Sequence, residues 1–156
     1  MIESGTHAPD IQLTDLDGRP WRLKESLERG AVLLAFFKTS CPTCQMTFPY
    51  LQRLMDSAGA GAPQLVAITQ DDAAATRQFD EKFGVSMPTL VDEPRTWPAS
   101  NAYRITHVPS LFLVEPDGRI SQAFDGFNKA EIEKLGARFR AAPFRSGEQV
   151  PALRPG

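Results

Sequence analysis

The chain has 156 residues, 42% of them hydrophobic, which is the size and composition of one α/β domain built on one core. Its 17 basic and 19 acidic residues leave a formal net charge of -2, which argues against nucleic acid as a partner, because non-specific binding to phosphates needs a basic field. No stretch approaches the ~20 consecutive apolar residues of a membrane span, and the start, Met1 to His7, lacks a leader's basic and apolar regions, so no membrane partner and a cytoplasmic location are expected, or a periplasmic one if the sequence is trimmed from a longer one.

In chain order, Ile11 and Leu13, then Trp21 and Leu23, alternate with polar residues around Asp15-Leu16-Asp17-Gly18 and predict an N-terminal β-hairpin. Ala31 to Phe37 is apolar throughout, as a central strand covered on both faces reads. It runs into Lys38-Thr39-Ser40-Cys41-Pro42, where a proline suits the first turn of a helix because its missing N–H is not needed there. Cys44, Phe48, Leu51 and Met55 then form one apolar stripe, and Pro49 within it predicts a kink.

Beyond the loop Gly59 to Pro63, Leu65 to Ile68 predicts a second buried strand. Asp71 and Asp72 offer caps for a helix carrying Phe79 and Phe83 and ending at Gly84. A short strand at Thr89-Leu90-Val91, a helix between Arg95 and Tyr103, and a strand at Leu111 to Val114 follow. Pro116-Asp117-Gly118 turns the chain into an antiparallel strand near Ile120 to Phe124. The last helix has Asn128 as cap with Glu131 three residues on, and Ile132, Leu135 and Phe139 on one face. The element order implies an α/β fold, a mixed central sheet with helices on both faces. Residues 1–140 form the domain. From Ala141 periodicity ends, and 141–156 reads as a surface-hugging or mobile C-terminal tail.

The two cysteines stand three apart, Cys41 at the exposed start of a helix and Cys44 on its apolar stripe. A thiolate at Cys41 is favoured by the helix's unpaired N–H groups and positive end, which makes Cys41 the attacking residue and Cys44 the one that resolves a mixed disulfide. Two buried cysteines can be inert, but a C-x-x-C at a strand-to-helix junction points to redox chemistry. A zinc site needs four ligands, and the further soft ligands, His7 and His107, have no paired spacing, so no metal is expected. Lys38 and His107 are candidate modulators of the thiol, one as a nearby cation and the other as a proton relay.

The stretch Phe36-Phe37-Lys38-Thr39-Ser40-Cys41-Pro42-Thr43-Cys44, the Phe48-Pro49 pair and Val108-Pro109-Ser110 before an apolar strand resemble the thioredoxin superfamily. Gly5-Thr6-His7-Ala8-Pro9-Asp10 ahead of a hairpin, and an extra αβ segment between Ile68 and Val108, resemble its TlpA/ResA-like redoxin branch, which is related to the AhpC/TSA proteins. The match covers about Gly5 to Phe139. It implies a thioredoxin-like three-layer fold and a thiol-disulfide oxidoreductase working as a disulfide reductase, without a cofactor. A disulfide-bearing protein or small-thiol substrate, an external electron donor and a monomer or weak dimer are expected. The resemblance further implies a cis peptide at Val108-Pro109 beside the cysteines, with Val108 and Pro109, together with Pro42 and Thr43, binding substrate.

Three positions depart from the family pattern. Ala35 stands where thioredoxin has a buried Asp, Thr47 where ResA-like proteins carry a Glu, and Ser40 where thioredoxin has a Trp. Two alternatives are weighed. A peroxiredoxin-like thiol peroxidase calls for Pro-x-x-x-Thr-x-x-Cys, and Leu34 and Lys38 occupy the Pro and Thr places. A non-catalytic binding or metallochaperone module of the same fold calls for wider cysteine spacing and a dedicated His.

Overall fold

A computed structural model describes all residues from Met1 to Gly156. The elements, in order, are β1 (Gln12–Asp15), β2 (Pro20–Arg22), α1 (Leu23–Ser26), β3 (Val32–Phe37), α2 (Pro42–Asp56), β4 (Gln64–Thr69), α3 (Ala73–Phe83), β5 (Thr89–Val91), α4 (Pro98–Ala102), β6 (Ser110–Val114), β7 (Ile120–Asp125), β8 (Phe127–Asn128), α5 (Lys129–Phe139) and β9 (Leu153–Arg154). Seven strands form one mixed sheet in the order β2-β1-β5-β4-β3-β6-β7. β3 pairs in parallel with β4 and antiparallel with β6. β8 and β9 form a separate two-stranded ladder.

Every residue of β3 is buried, which accounts for its unbroken apolar sequence. The pleat sends Leu33, Ala35 and Phe37 to one face, against Phe48, Leu51 and Leu54 of α2, Phe79 of α3 and Ile132, Leu135 and Phe139 of α5. Val32, Leu34 and Phe36 go to the other face, against Leu23 of α1, Ala99 of α4, Tyr103 and Phe112. Phe37 lies with its ring centroid 4.3 Å from that of Phe48 and 5.0 Å from that of Phe79. This aromatic cluster locks the end of β3, and so the point from which the cysteine loop departs, against α2 and α3.

Some expectations are refined. α2 continues through Pro49 to Asp56 as one helix. Leu54, fully buried, takes the place on its core stripe expected of Met55, which is only partly covered. The predicted helix between Arg95 and Tyr103 shrinks to Pro98–Ala102, because Trp97 takes a left-handed conformation and the Asp92 carboxylate accepts from the N–H groups of Ala99 and Ser100. Of the two aspartates offered as caps for α3, Asp72 is the one used, accepting from Ala75 N at 2.8 Å.

Candidate active site

β3 ends at Phe37, and the loop Lys38-Thr39-Ser40 delivers the chain to α2. Cys41 is the N-cap of that helix, in extended conformation, and Pro42 follows at its first position. The Cys41 Sγ accepts from the backbone N–H of Cys44 at 3.2 Å, so the sulfur does the work that a Ser or Asp oxygen does at an ordinary cap. A thiolate there would face an unpaired helix donor and the positive end of the helix dipole.

The loop is pinned by a residue whose role sequence reasoning missed. One oxygen of the Asp71 carboxylate accepts from both the Thr39 N–H, at 2.8 Å, and the Thr39 hydroxyl, at 2.9 Å. The Gln45 side chain donates to the Thr39 carbonyl at 3.0 Å from the other side. Asp71 follows β4, the strand parallel to β3, and only the sheet brings the two loops together. The sequence offered it as a helix cap, and no local signal marks it as a clamp.

The two thiols differ. Cys41 is partly exposed, whereas Cys44 is fully buried among Phe48 and the α2 face of the sheet. Burial, and next the contact with Cys41, push the Cys44 thiol far above the ordinary cysteine range, so Cys44 is held protonated. No disulfide joins them in this structure. Neither of the usual bases of the family stands nearby: Ala35 is buried in the sheet, and the buried Thr47 donates its hydroxyl to the Thr43 carbonyl at 2.7 Å.

The structure brings Val108 and Pro109 to the cysteines. Their peptide is cis, as the resemblance implies, and the Cys41 thiol donates to the Val108 carbonyl at 3.4 Å. Pro42 is exposed on the rim, while Thr43 is 4% exposed because the C-terminal tail covers it. The two candidate modulators lie on the flank. The Lys38 Nζ sits 5.5 Å from the centroid of the Trp97 ring, and the His107 Nδ1 is 3.0 Å from the Thr106 hydroxyl. With Val108 they line a cleft of about 210 Å³, to which neither cysteine contributes. His7 is elsewhere, bridging Arg119 at the β6–β7 turn, by the start rather than the end of β3.

The tail is laid down rather than loose. Phe144 packs against Tyr50 and Phe127. The Arg53 guanidinium donates with two nitrogens to the two Glu148 oxygens, each at 2.8 Å, holding the Glu148 carboxyl down to about 2. The last residues then cross the start of α2, where the Thr43 hydroxyl donates to the Pro155 carbonyl at 2.7 Å.

Set beside known proteins, residues 4–123 match the AhpC/TSA family. The thiol-disulfide oxidoreductase ResA of Geobacillus kaustophilus is 31% identical over 135 residues, 85% of this chain and 76% of that protein. Two solved structures share the fold. The thioredoxin domain of a thiol-disulfide oxidoreductase from Bacteroides vulgatus aligns with a TM-score of 0.77 at 19% identity, covering 89% of this chain and 99% of that one. A putative thiol:disulfide interchange protein DsbE from Chlorobium tepidum aligns with a TM-score of 0.77 at 23% identity, covering 92% and 100%.

Proposed function

The chain belongs to the AhpC/TSA family, and from that premise we infer that it is a thiol-disulfide oxidoreductase in which Cys41 attacks and Cys44 resolves. The observation that carries the assignment is the inequality of the pair: one sulfur capping a helix at the surface, the other a turn behind it, buried and protonated.

The chemistry follows from that inequality. The Cys41 thiolate attacks one sulfur of a partner's disulfide; the new Cys41–sulfur bond forms as the partner's S–S bond breaks, and the partner's second sulfur leaves as a thiolate. Once Cys41 is covalently engaged, Cys44 attacks the Cys41 Sγ, the Cys41–Cys44 bond forming as the bond from Cys41 to the partner's first sulfur breaks, and that departing sulfur takes the Cys44 proton. The partner is released with two electrons gained, and Cys41 and Cys44 are left as a disulfide. An external dithiol donor returns the pair to the reduced state. The protonated Cys44 delays closure until a partner is bound, so burial separates capture from release.

The reaction runs as disulfide reduction, with a disulfide-bearing protein as partner. Two features support a polypeptide partner: the Val108 carbonyl is already turned to the Cys41 sulfur, and the tail shows that extended chain can lie alongside it.

Trapping tests the assignment. With a disulfide protein such as insulin, Cys44→Ser should accumulate a mixed disulfide on Cys41, visible as added mass without reductant. Cys41→Ser should form none and lose turnover by at least about a thousandfold. Turnover surviving in Cys41→Ser would reject the attacking role, and peroxide consumption outpacing disulfide reduction would move the assignment to a peroxidase.

A further inference from the structure

The groove that borders Cys41 is occupied by the chain itself. β9 pairs with β8 in antiparallel register, Phe127 opposite Arg154 and Asn128 opposite Leu153, and the Lys129 N–H donates to the Ala152 carbonyl at 3.0 Å. Beyond β9, Pro155 takes the Thr43 hydroxyl, and Gly156 rests on the Val108 carbonyl so closely that a Cβ built on it would overlap that group. This is the same carbonyl to which the Cys41 thiol donates. Gly126, with φ +70°, forms the facing wall, where a Cβ would come within 2.7 Å of the Arg154 carbonyl. The tail therefore lies against backbone at two points, Gly156 on Val108 and Arg154 on Gly126, with no room for a Cβ on either glycine, and the Val108 carbonyl is the one in contact with the Cys41 sulfur.

The strap is anchored far from its tip. Phe144 and the Arg53–Glu148 pair hold the middle of the tail, whereas residues 151–156 are exposed and joined to β8 by a two-residue ladder. A segment with so few buried contacts opens at small free-energy cost, while its anchor keeps it at a high effective concentration over the groove.

We propose that Leu153–Gly156 is an internal competitor for the substrate groove, displaced when an extended segment of the disulfide-bearing partner takes its place between Val108 and the Gly126–Asn128 backbone. The inference rests on the oxidoreductase reading and adds the form of the substrate: an extended strand that presents a glycine or similarly small residue at Val108. A main-chain-paired strand can substitute for another of different sequence, because the ladder bonds are made by backbone.

Two variants test it: removal of Leu153–Gly156, and Gly156→Val, whose side chain would overlap the Val108 carbonyl and lift the tip. Both keep Phe144 and Glu148, and both alter only exposed residues. The readouts are the rate at which a bulky maleimide modifies Cys41 and the KM for insulin disulfides. If the strap is closed about nine-tenths of the time, removal raises the modification rate and lowers KM by about tenfold, with kcat little changed. Gly156→Val should move both in the same direction by a smaller factor. Unchanged rates and unchanged KM in both variants would overturn the proposal. Faster modification in a chain that reduces no disulfide would keep the strap and reject the oxidoreductase reading instead.

Discussion

The β3–α2 junction and the C-terminal tail meet at the same sulfur, yet they are built in opposite ways. The junction leaves a strand buried at every position and enters a helix whose inner face is Cys44, Phe48, Leu51 and Leu54. The tail touches the fold at separated points, among them one aromatic ring, one ion pair, one two-residue ladder and the contacts of Pro155 with Thr43 and of Gly156 with Val108, and its last six residues are exposed. Reactivity needs a sulfur fixed against a helix end to within about 0.5 Å, so it is placed on the rigid part. Access needs something that leaves, so it is given to the part with little to lose by leaving. Damage to the first should appear as lost stability and lost turnover together, and damage to the second as a change in access alone.

The largest expected effect comes from the junction. Phe37→Ala removes a fully buried ring from between Phe48 and Phe79, at the last residue before the cysteine loop. It should cost about 4 kcal/mol of stability, read by denaturant unfolding, and lower turnover in the surviving folded fraction. A loss under about 1 kcal/mol would mean that this end of the sheet collapses around the gap and is less rigid than the comparison requires.

Asp71→Ala is next. It leaves the part-buried Thr39 N–H and hydroxyl without their acceptor, two residues before Cys41. Losing hydrogen bonds to a charged group should cost about 2 kcal/mol. The effect on kcat should exceed that on KM, because the loop sets where Cys41 sits rather than what the groove holds. A variant that loses stability and keeps kcat would make Asp71 a purely structural clamp.

The same contrast explains how much could be read from the residues. β3 and α2 announce themselves because their signals are local: an apolar run, a proline at the first helical position, an apolar residue every third or fourth place. The C-x-x-C at their junction, and the inequality of its two sulfurs, follow directly. The Asp71 clamp was illegible because it joins loops that only the parallel pairing of β3 and β4 brings together. α1 and the 3₁₀ turn after it, Leu27–Arg29, were missed because each is barely one turn long and has no side-chain cap. The tail has no period, and its bonds reach remote partners, Glu148 to Arg53 and Pro155 to Thr43. Sequence gave the choice between a surface-hugging and a mobile segment, and distant contacts decide for the first.

The smallest effect should come from loosening the tail at its middle. In Glu148→Gln the charge leaves the Arg53 guanidinium while the chain keeps its length, so Phe144 still packs and β9 can still pair. Cys41 modification should quicken by no more than about twofold, well short of what removing the tip does, because an ion pair at the surface, still reached by solvent, contributes little. The pH dependence gives the sign. The Glu148 carboxyl is held down to about 2, chiefly by its bonds to Arg53, so the pair's contribution is complete above the ordinary glutamate value near 4.5 and fades as pH falls toward about 2. Wild type and Glu148→Gln should therefore differ at pH 7 and converge in tail protection, followed by amide hydrogen exchange over residues 144–154, as the solution is taken from pH 4.5 downward. If the two differ equally at pH 7 and at pH 2.5, the charge is not what holds the tail. Its anchoring would then rest on Phe144 and the β8–β9 ladder, and the strap would be insensitive to acid.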